Sequence, residues 1–180
     1  MNESLKDFIF AALFTAFIAV SAMITVPLGP IPFTLQTFAI TLVMFIAKPK
    51  VALLSMVIYI LLGAIGAPIF SSMKGGIGVL MGPTGGFLIG YLLGIFPVGF
   101  AMQKFNEKPS STGTKIAVTI VSGIVLTLIA YVIGTVQFMV VMNQTLAVAL
   151  AACVIPFMLI DLAKIIVAWI LSALVKKHLN

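Results

Sequence analysis

Arginine is absent from this 180-residue sequence, and histidine and cysteine occur once each. The lone cysteine, Cys153, excludes an internal disulfide and any cysteine-rich metal site. The lone histidine, His178, stands in the C-terminal tail, which suits a solvated end or a headgroup contact and excludes a histidine-based metal or catalytic centre. No His–Glu metal motif and no nucleophile–base pair is present, so an intramembrane enzyme has no support; Ser55 and Ser122 read as helix–helix hydrogen-bonding residues. Charge is also scarce: 8% of residues are charged and four are acidic, against about 25% charged in a soluble domain. What fills the chain is apolar, 62% of residues with a mean hydropathy of +1.30, which makes it an integral membrane protein. A β-barrel is excluded because the apolar runs are continuous and do not alternate. The net charge of +6 is carried by lysines that flank those runs, and this placement argues against a nucleic-acid partner and for a lipid bilayer.

At about 20 residues per span, 180 residues hold six helices and not ten. Punctuation by proline, glycine and polar residues sets the expected spans at Leu5–Val26, Phe33–Ala47, Val51–Ile65, Phe87–Met102, Ile116–Val140 and Val148–Val175, the last with Pro156 near its start, in a single membrane domain over residues 1–180. The second is short for a span, so it is tilted less or sheltered by neighbours. The opening MNESLKDF has no small-residue cleavage site and reads as the start of a retained first span. With an even number of spans, one side collects Lys6, Lys48, Lys50, Lys104, Lys108, Lys115, Lys176 and Lys177, and the other holds Lys74. That bias places both termini in the cytoplasm.

Two charges break the last span. Asp161 and Lys164 are the only charged residues between Cys153 and Val175, where each costs roughly 2.5–3.5 kcal/mol at a bilayer centre on insertion scales. At i and i+3 they share a helix face and reach each other. The pair is either an internal lock on helix packing or a polar site facing a substrate pocket, and ionisable residues within a membrane point to the second.

Two connections face away from the lysine-rich side. Pro27 to Pro32 form a stiff turn that leads to Gln36, a residue with both donor and acceptor, read equally well as a helix cap. Gly66–Gly86 is long, apolar and rich in glycine, as expected of a lid that dips toward the bundle. Its GGIGVLMG run has no GK[ST] ending and is no phosphate loop, so any ATP-driven step belongs to another subunit. Tyr59, Tyr91, Tyr131 and Trp169 suit an interfacial belt or a pocket wall, and position alone favours the belt for most. Small residues recur as Ala12-x-x-x-Ala16 and Ala11-x-x-x-Thr15-x-x-x-Ala19, which permits close helix approach and on spacing alone reads as packing within the bundle.

The order PLGPIPFTLQ, then a glycine-rich loop ending GPTGGFLIGY, then DLAK in the last span, resembles the BioY family over nearly the whole chain. The resemblance implies the biotin-specific substrate-binding S component of an energy-coupling factor (ECF) transporter, in the plasma membrane of a prokaryote. It implies a six-helix bundle that captures biotin from outside, without a cofactor, and partners with a transmembrane coupling subunit and two cytoplasmic ATPase subunits. Residue by residue, it implies substrate-binding roles for Asp161, Lys164 and Gln36, and a lid built from Gly75, Gly76 and the run from Gly82 to Gly86. Tyr91, at the end of the second motif, joins the binding candidates. It also turns Ala12 and Ala16 from packing residues into a docking motif for the coupling subunit. The sequence departs from the family pattern at Lys74, where other members have a small or amide residue, and at Leu88, where some have arginine; Lys74 is kept as a candidate for attracting an anion. Biotin offers a carboxylate to Lys164 and a ureido group to Asp161 or Gln36, with charge-assisted bonds the strong ones. The competing expectation is a stand-alone proton-coupled transporter of a small carboxylate-bearing vitamin with Asp161 as the titrating group, against which stands the lack of matching interrupted helices in the two halves.

Overall fold

The computed structural model describes residues 2–27 and 29–179, with the side chains of residues 178 and 179 excepted. Leu28 in the proline-rich turn and the His178 side chain therefore lie outside the described residues. Helix α1 spans Glu3–Met23 and starts where the Asn2 side chain accepts the Ser4 N–H, satisfying one of the orphan donors of a helix start. A two-residue antiparallel ribbon follows, β1 (Thr25–Val26) against β2 (Phe33–Thr34), with Thr25 opposite Thr34. The three prolines of the turn lie between or beside these strands, where no ladder N–H is needed.

Helix α2 (Gln36–Ile46) is short and apolar and is buried continuously from Ala39 to Phe45. A helix apolar on every side belongs in the middle of a bundle, and α2 packs against α1 and the last helix with α3, α5 and α6 close by. Helix α3 (Pro49–Ala64) begins with proline at its first position, where the missing N–H costs nothing. The glycine-rich connection then contains a 3-10 turn at Ser71–Met73 and a single-turn helix α4 (Ile77–Leu80). Helices α5 (Gly85–Asn106) and α6 (Thr112–Met142) follow. α6 is longer than the expected span because Ser111 caps its start through the Thr114 N–H, and Asn143 ends it in a left-handed conformation at φ 50°.

The last expected span is two helices, α7 (Leu146–Cys153) and α8 (Ile155–Leu179), with Val154 at φ −120° and ψ −59° between them. This corrects the single helix read from Val148 to Val175. Pro156 has no N–H to offer Ala152, and its ring collides with that carbonyl in a continuous helix. Helices α1, α5, α6 and the α7–α8 stretch are long and apolar enough to cross a membrane, and α2 and α3 are shorter apolar helices. The protein is an all-α, multi-pass membrane protein.

Glycines set the closest seam of the bundle. A Cβ on Gly90 would fall 2.6 Å from the Ala130 Cα, and one on Gly86 would fall 2.7 Å from the Ile133 carbonyl oxygen. The α5 and α6 backbones therefore touch, which in lipid gains dispersion contact where no hydrophobic force acts between helices. At one end of the bundle Lys48 Nζ lies 3.3 Å from Asp7 Oδ1. Two grooves at that end bring Lys6, Lys48 and Val175, and then Lys48, Asn106 and Lys176, into shared walls. The start of α1, the α2–α3 turn and the ends of α5 and α8 thus converge on the lysine-rich end. The β1–β2 ribbon, the 3-10 turn and α4 sit at the other, joined where the Thr25 hydroxyl accepts the Ser72 N–H at 3.3 Å.

Candidate functional site

Beneath that second end lies a cavity walled by α2, α3, α5, α6 and α8, with Cys153 at the end of α7 also in its lining. The Asp161–Lys164 pair forms its floor on α8. Lys164 Nζ donates to Asp161 Oδ1 at 2.8 Å, and the side chains are 11% and 5% exposed. The second carboxylate oxygen is taken as well: the Tyr131 hydroxyl on α6 donates to Asp161 Oδ2 at 2.7 Å. A buried carboxylate needs partners for its charge and its lone pairs, and this one has a cation and a phenol from two helices. An ammonium carries three donors. One of the three on Lys164 is used on Asp161, leaving two for whatever enters the cavity.

Across the space, on α2 and α3, Gln36 Nε2 donates to Tyr59 Oη at 3.0 Å, and the Tyr59 hydroxyl donates to the Ile69 carbonyl at 3.2 Å. A third polar contact crosses the middle, from the Tyr91 hydroxyl on α5 to Thr37 Oγ1 on α2 at 3.1 Å. Tyr59, Tyr91 and Tyr131 are 0%, 5% and 8% exposed. That corrects the belt reading for Tyr59 and Tyr131, which line the pocket together with Tyr91; the hydroxyls of all three found partners, as buried tyrosines usually do. Between the polar groups the lining is apolar, with Ile31, Phe70, Val79, Phe87, Leu88 and Phe157. Phe157 stacks on Phe33 with ring centres 4.2 Å apart, which seats the ribbon on α8. Leu88 makes its stretch of wall apolar.

Asp161, Lys164, Gln36 and Tyr91 come together in this cavity, while Lys74, Gly75 and Gly76 do not line it. Lys74 is exposed, and its backbone carbonyl accepts the Phe70 N–H at 2.9 Å. Gly75 sits so close to the Gly66 and Ala67 carbonyls that a Cβ there would collide with them. Gly76 adopts φ +95° and donates its N–H to the Gly63 carbonyl at 2.7 Å. These three shape the connection rather than the cavity surface. Ala12 and Ala16 lie on an exposed face of α1, and the interleaved Ala11, Thr15 and Ala19 are buried, with the Thr15 hydroxyl donating to the Ser55 carbonyl on α3 at 3.0 Å. The two small-residue stripes thus lie on neighbouring faces of α1, one buried and one exposed. Sequence reasoning missed Tyr59 and Tyr131 as site residues; the available signal was a phenol in an apolar run that must find a hydrogen-bond partner.

Fold and cavity together define a helical membrane protein with a largely apolar cavity, carrying polar groups on facing walls, under a cover of loops. The sequence matches the BioY family along residues 1–180. A Thermotoga maritima protein named biotin transporter BioY is 38% identical over 173 residues, covering 96% of this chain and 97% of its own. The Lactococcus lactis subsp. cremoris biotin transporter BioY2 is 33% identical over 169 residues, with coverage of 94% and 89%. A crystal structure of the S-component for biotin from an ECF-type ABC transporter superposes with a TM-score of 0.85 at 24% identity, covering 98% of this chain and 93% of that one. At that identity the likeness speaks for the fold. The chain belongs to the BioY family.

Proposed function

We propose that this protein captures biotin and delivers it across the plasma membrane of a prokaryote as the substrate-binding subunit of an ECF-type importer. In this reading six spans cross the bilayer with both termini cytoplasmic, and the connection from Gly66 to Gly86 is the outer lid. The observation that carries the reading is the pairing of two polar groups on facing walls, Asp161–Lys164–Tyr131 and Gln36–Tyr59, with aromatic surface between them. Biotin has the matching plan: a carboxylate and a ureido ring at its ends and an apolar thioether ring and chain between. Relatives named as biotin transporters and a fold shared with a biotin S-component support it. Lys74, on the exposed side of the lid, attracts the anionic ligand, and Gly75 and Gly76 give the lid its path. The exposed Ala12–Ala16 face of α1 docks on a transmembrane coupling subunit, which joins two cytoplasmic ATPases. Both Asp161 oxygens are already engaged, which favours a fixed binding element over a carboxylate that titrates in a proton-coupled cycle.

Calorimetry on one purified sample with biotin, desthiobiotin, thiamine and riboflavin tests the proposal. Saturable binding of biotin well ahead of the other vitamins is expected, and no measurable binding of biotin would overturn it. Tyr131→Phe removes one hydrogen bond to a charged group without changing volume, so its biotin affinity should fall about tenfold or more; an unchanged affinity would separate the Tyr131–Asp161 contact from binding.

A further inference from the structure

The cover over the cavity divides into two halves held by different means. Residues 66–76 are fastened to α3. Phe70 is buried with its ring packed onto Gly63 and edge-on to Tyr59 at 5.4 Å, Tyr59 holds the Ile69 carbonyl, and the Gly76 N–H reaches the Gly63 carbonyl. Residues 77–84 have no buried aromatic anchor among the described residues; their backbone is tied to the start of α5, where the Gly85 N–H donates to the Gly82 carbonyl at 3.2 Å. Helix α4 is a single turn whose last carbonyls have no intrahelical donor. One side chain supplies it from outside: Gln137 Nε2, on α6, donates to both the Leu80 and the Gly82 carbonyls at 2.7 Å. Gly86 makes room for this reach, because a Cβ there would fall 2.8 Å from the Gln137 Cβ.

The same short segment closes the cavity. Val79 and Thr84 line it from above, while Ile77 and Met81 point outward at 65% and 71% exposure. Its upstream end is Gly76 at φ +95°, a conformation that glycine adopts without cost, and its downstream end is the Gly82–Pro83 pair.

We propose that Gln137 is the latch of a flap formed by residues 77–84, a positioning residue that sets how fast the ligand enters and leaves without touching it. The inference rests on the reading of the cavity as the biotin site. A fixed half and a swinging half follow from the fastenings: opening 66–76 requires extracting the buried Phe70 from its seat, whereas opening 77–84 requires lifting the partly buried Val79 and Leu80 and breaking the two neutral Gln137 hydrogen bonds. Two such bonds shift an opening equilibrium by roughly 10- to 100-fold. The flap opens for entry and for exit alike, so the latch acts on both rates together.

Gln137→Met keeps the length of the side chain and removes both donors; Gln137→Glu replaces them with oxygens that repel the two carbonyls. Stopped-flow binding of biotin to either variant should show association and dissociation both faster by about tenfold or more, with Kd changed far less than either rate. Hydrogen exchange without biotin should speed up at the amides of residues 77–84 and stay unchanged at 66–76. A raised Kd with unchanged association would make Gln137 a ligand contact or a pocket brace and overturn the latch. Unchanged exchange at 77–84 would overturn it as well, as would failure of both variants to fold. If the wild type does not bind biotin, the functional reading fails, and the exchange result still decides whether Gln137 holds the flap.

Discussion

Lys164→Ala is expected to abolish biotin capture, and the reason separates two roles that a single substitution confounds. Removing the ammonium leaves the Asp161 carboxylate buried with the Tyr131 hydroxyl as its remaining partner among the described residues. Breaking a buried pair from one side costs about 3–5 kcal/mol, because an uncompensated charge stays behind. That loss falls on the protein whether or not ligand is present, so K164A should melt at a lower temperature than wild type. The second role is direct: in the proposed site the two donors of Lys164 not used on Asp161 meet the ligand. Asp161→Asn in the K164A background removes the orphan charge and keeps an oxygen for Tyr131. The double variant should regain thermal stability and still fail to bind biotin. A double variant that regains both would show the pair to be a packing lock with no ligand contact. The measurement is a melting curve and a calorimetric titration on wild type, both single variants and the double variant, read as a double-mutant cycle.

How much of this arrangement the amino-acid order discloses depends on the range of the interaction. The Asp161–Lys164 pair is legible because i,i+3 spacing in an apolar run leaves two buried charges few partners but each other. Tyr131, 30 residues away in sequence, is not, because nothing local distinguishes a phenol in a belt from one reaching across to another helix. The stiff turn and the glycine-rich cover are legible as composition. Yet Lys74, Gly75 and Gly76 fall outside the cavity lining because Phe70 inserts beside Gly63 and turns the chain away, a contact between distant residues. Small-residue spacing on α1 gives two stripes without saying which is buried; that is decided by Ser55 on α3, which receives Thr15. Helix ends go wrong by a turn where a cap decides them, as at Ser111 and Asn143. The break before α8 comes from the Pro156 ring, visible in sequence as a proline near a helix start and misplaced by a few residues. The central α2, buried from Ala39 to Phe45, is foreshadowed only by its shortness.

Gly90→Val should be strongly damaging although Gly90 does not line the cavity. The Cβ alone would meet the Ala130 Cα at 2.6 Å, with the Ala130 nitrogen and the Ile129 carbonyl both 3.2 Å away. These are backbone atoms of α6, so no side-chain rotation relieves the contact, and α5 and α6 have to separate. Overpacking of side chains costs about 1–3 kcal/mol, and two backbones forced apart lie at or above the top of that range. The consequence reaches the site directly, since Tyr91 follows Gly90 on α5 and Tyr131 follows Ala130 on α6. Spreading the seam pulls Tyr91 from Thr37 and Tyr131 from Asp161, the contacts that tie α5 to α2 and α6 to α8. G90V is therefore expected to lose biotin binding and to melt well below wild type in detergent. Gly113→Ala is the matched control: the one neighbour of its Cβ within 4 Å is the Ser111 Oγ at 3.9 Å, and alanine favours the helical conformation of α6 over glycine. It should bind and melt as wild type does. Equal tolerance of both substitutions would mean that α5 and α6 are free to part, and that the spacing of the tyrosines does not depend on the glycine seam.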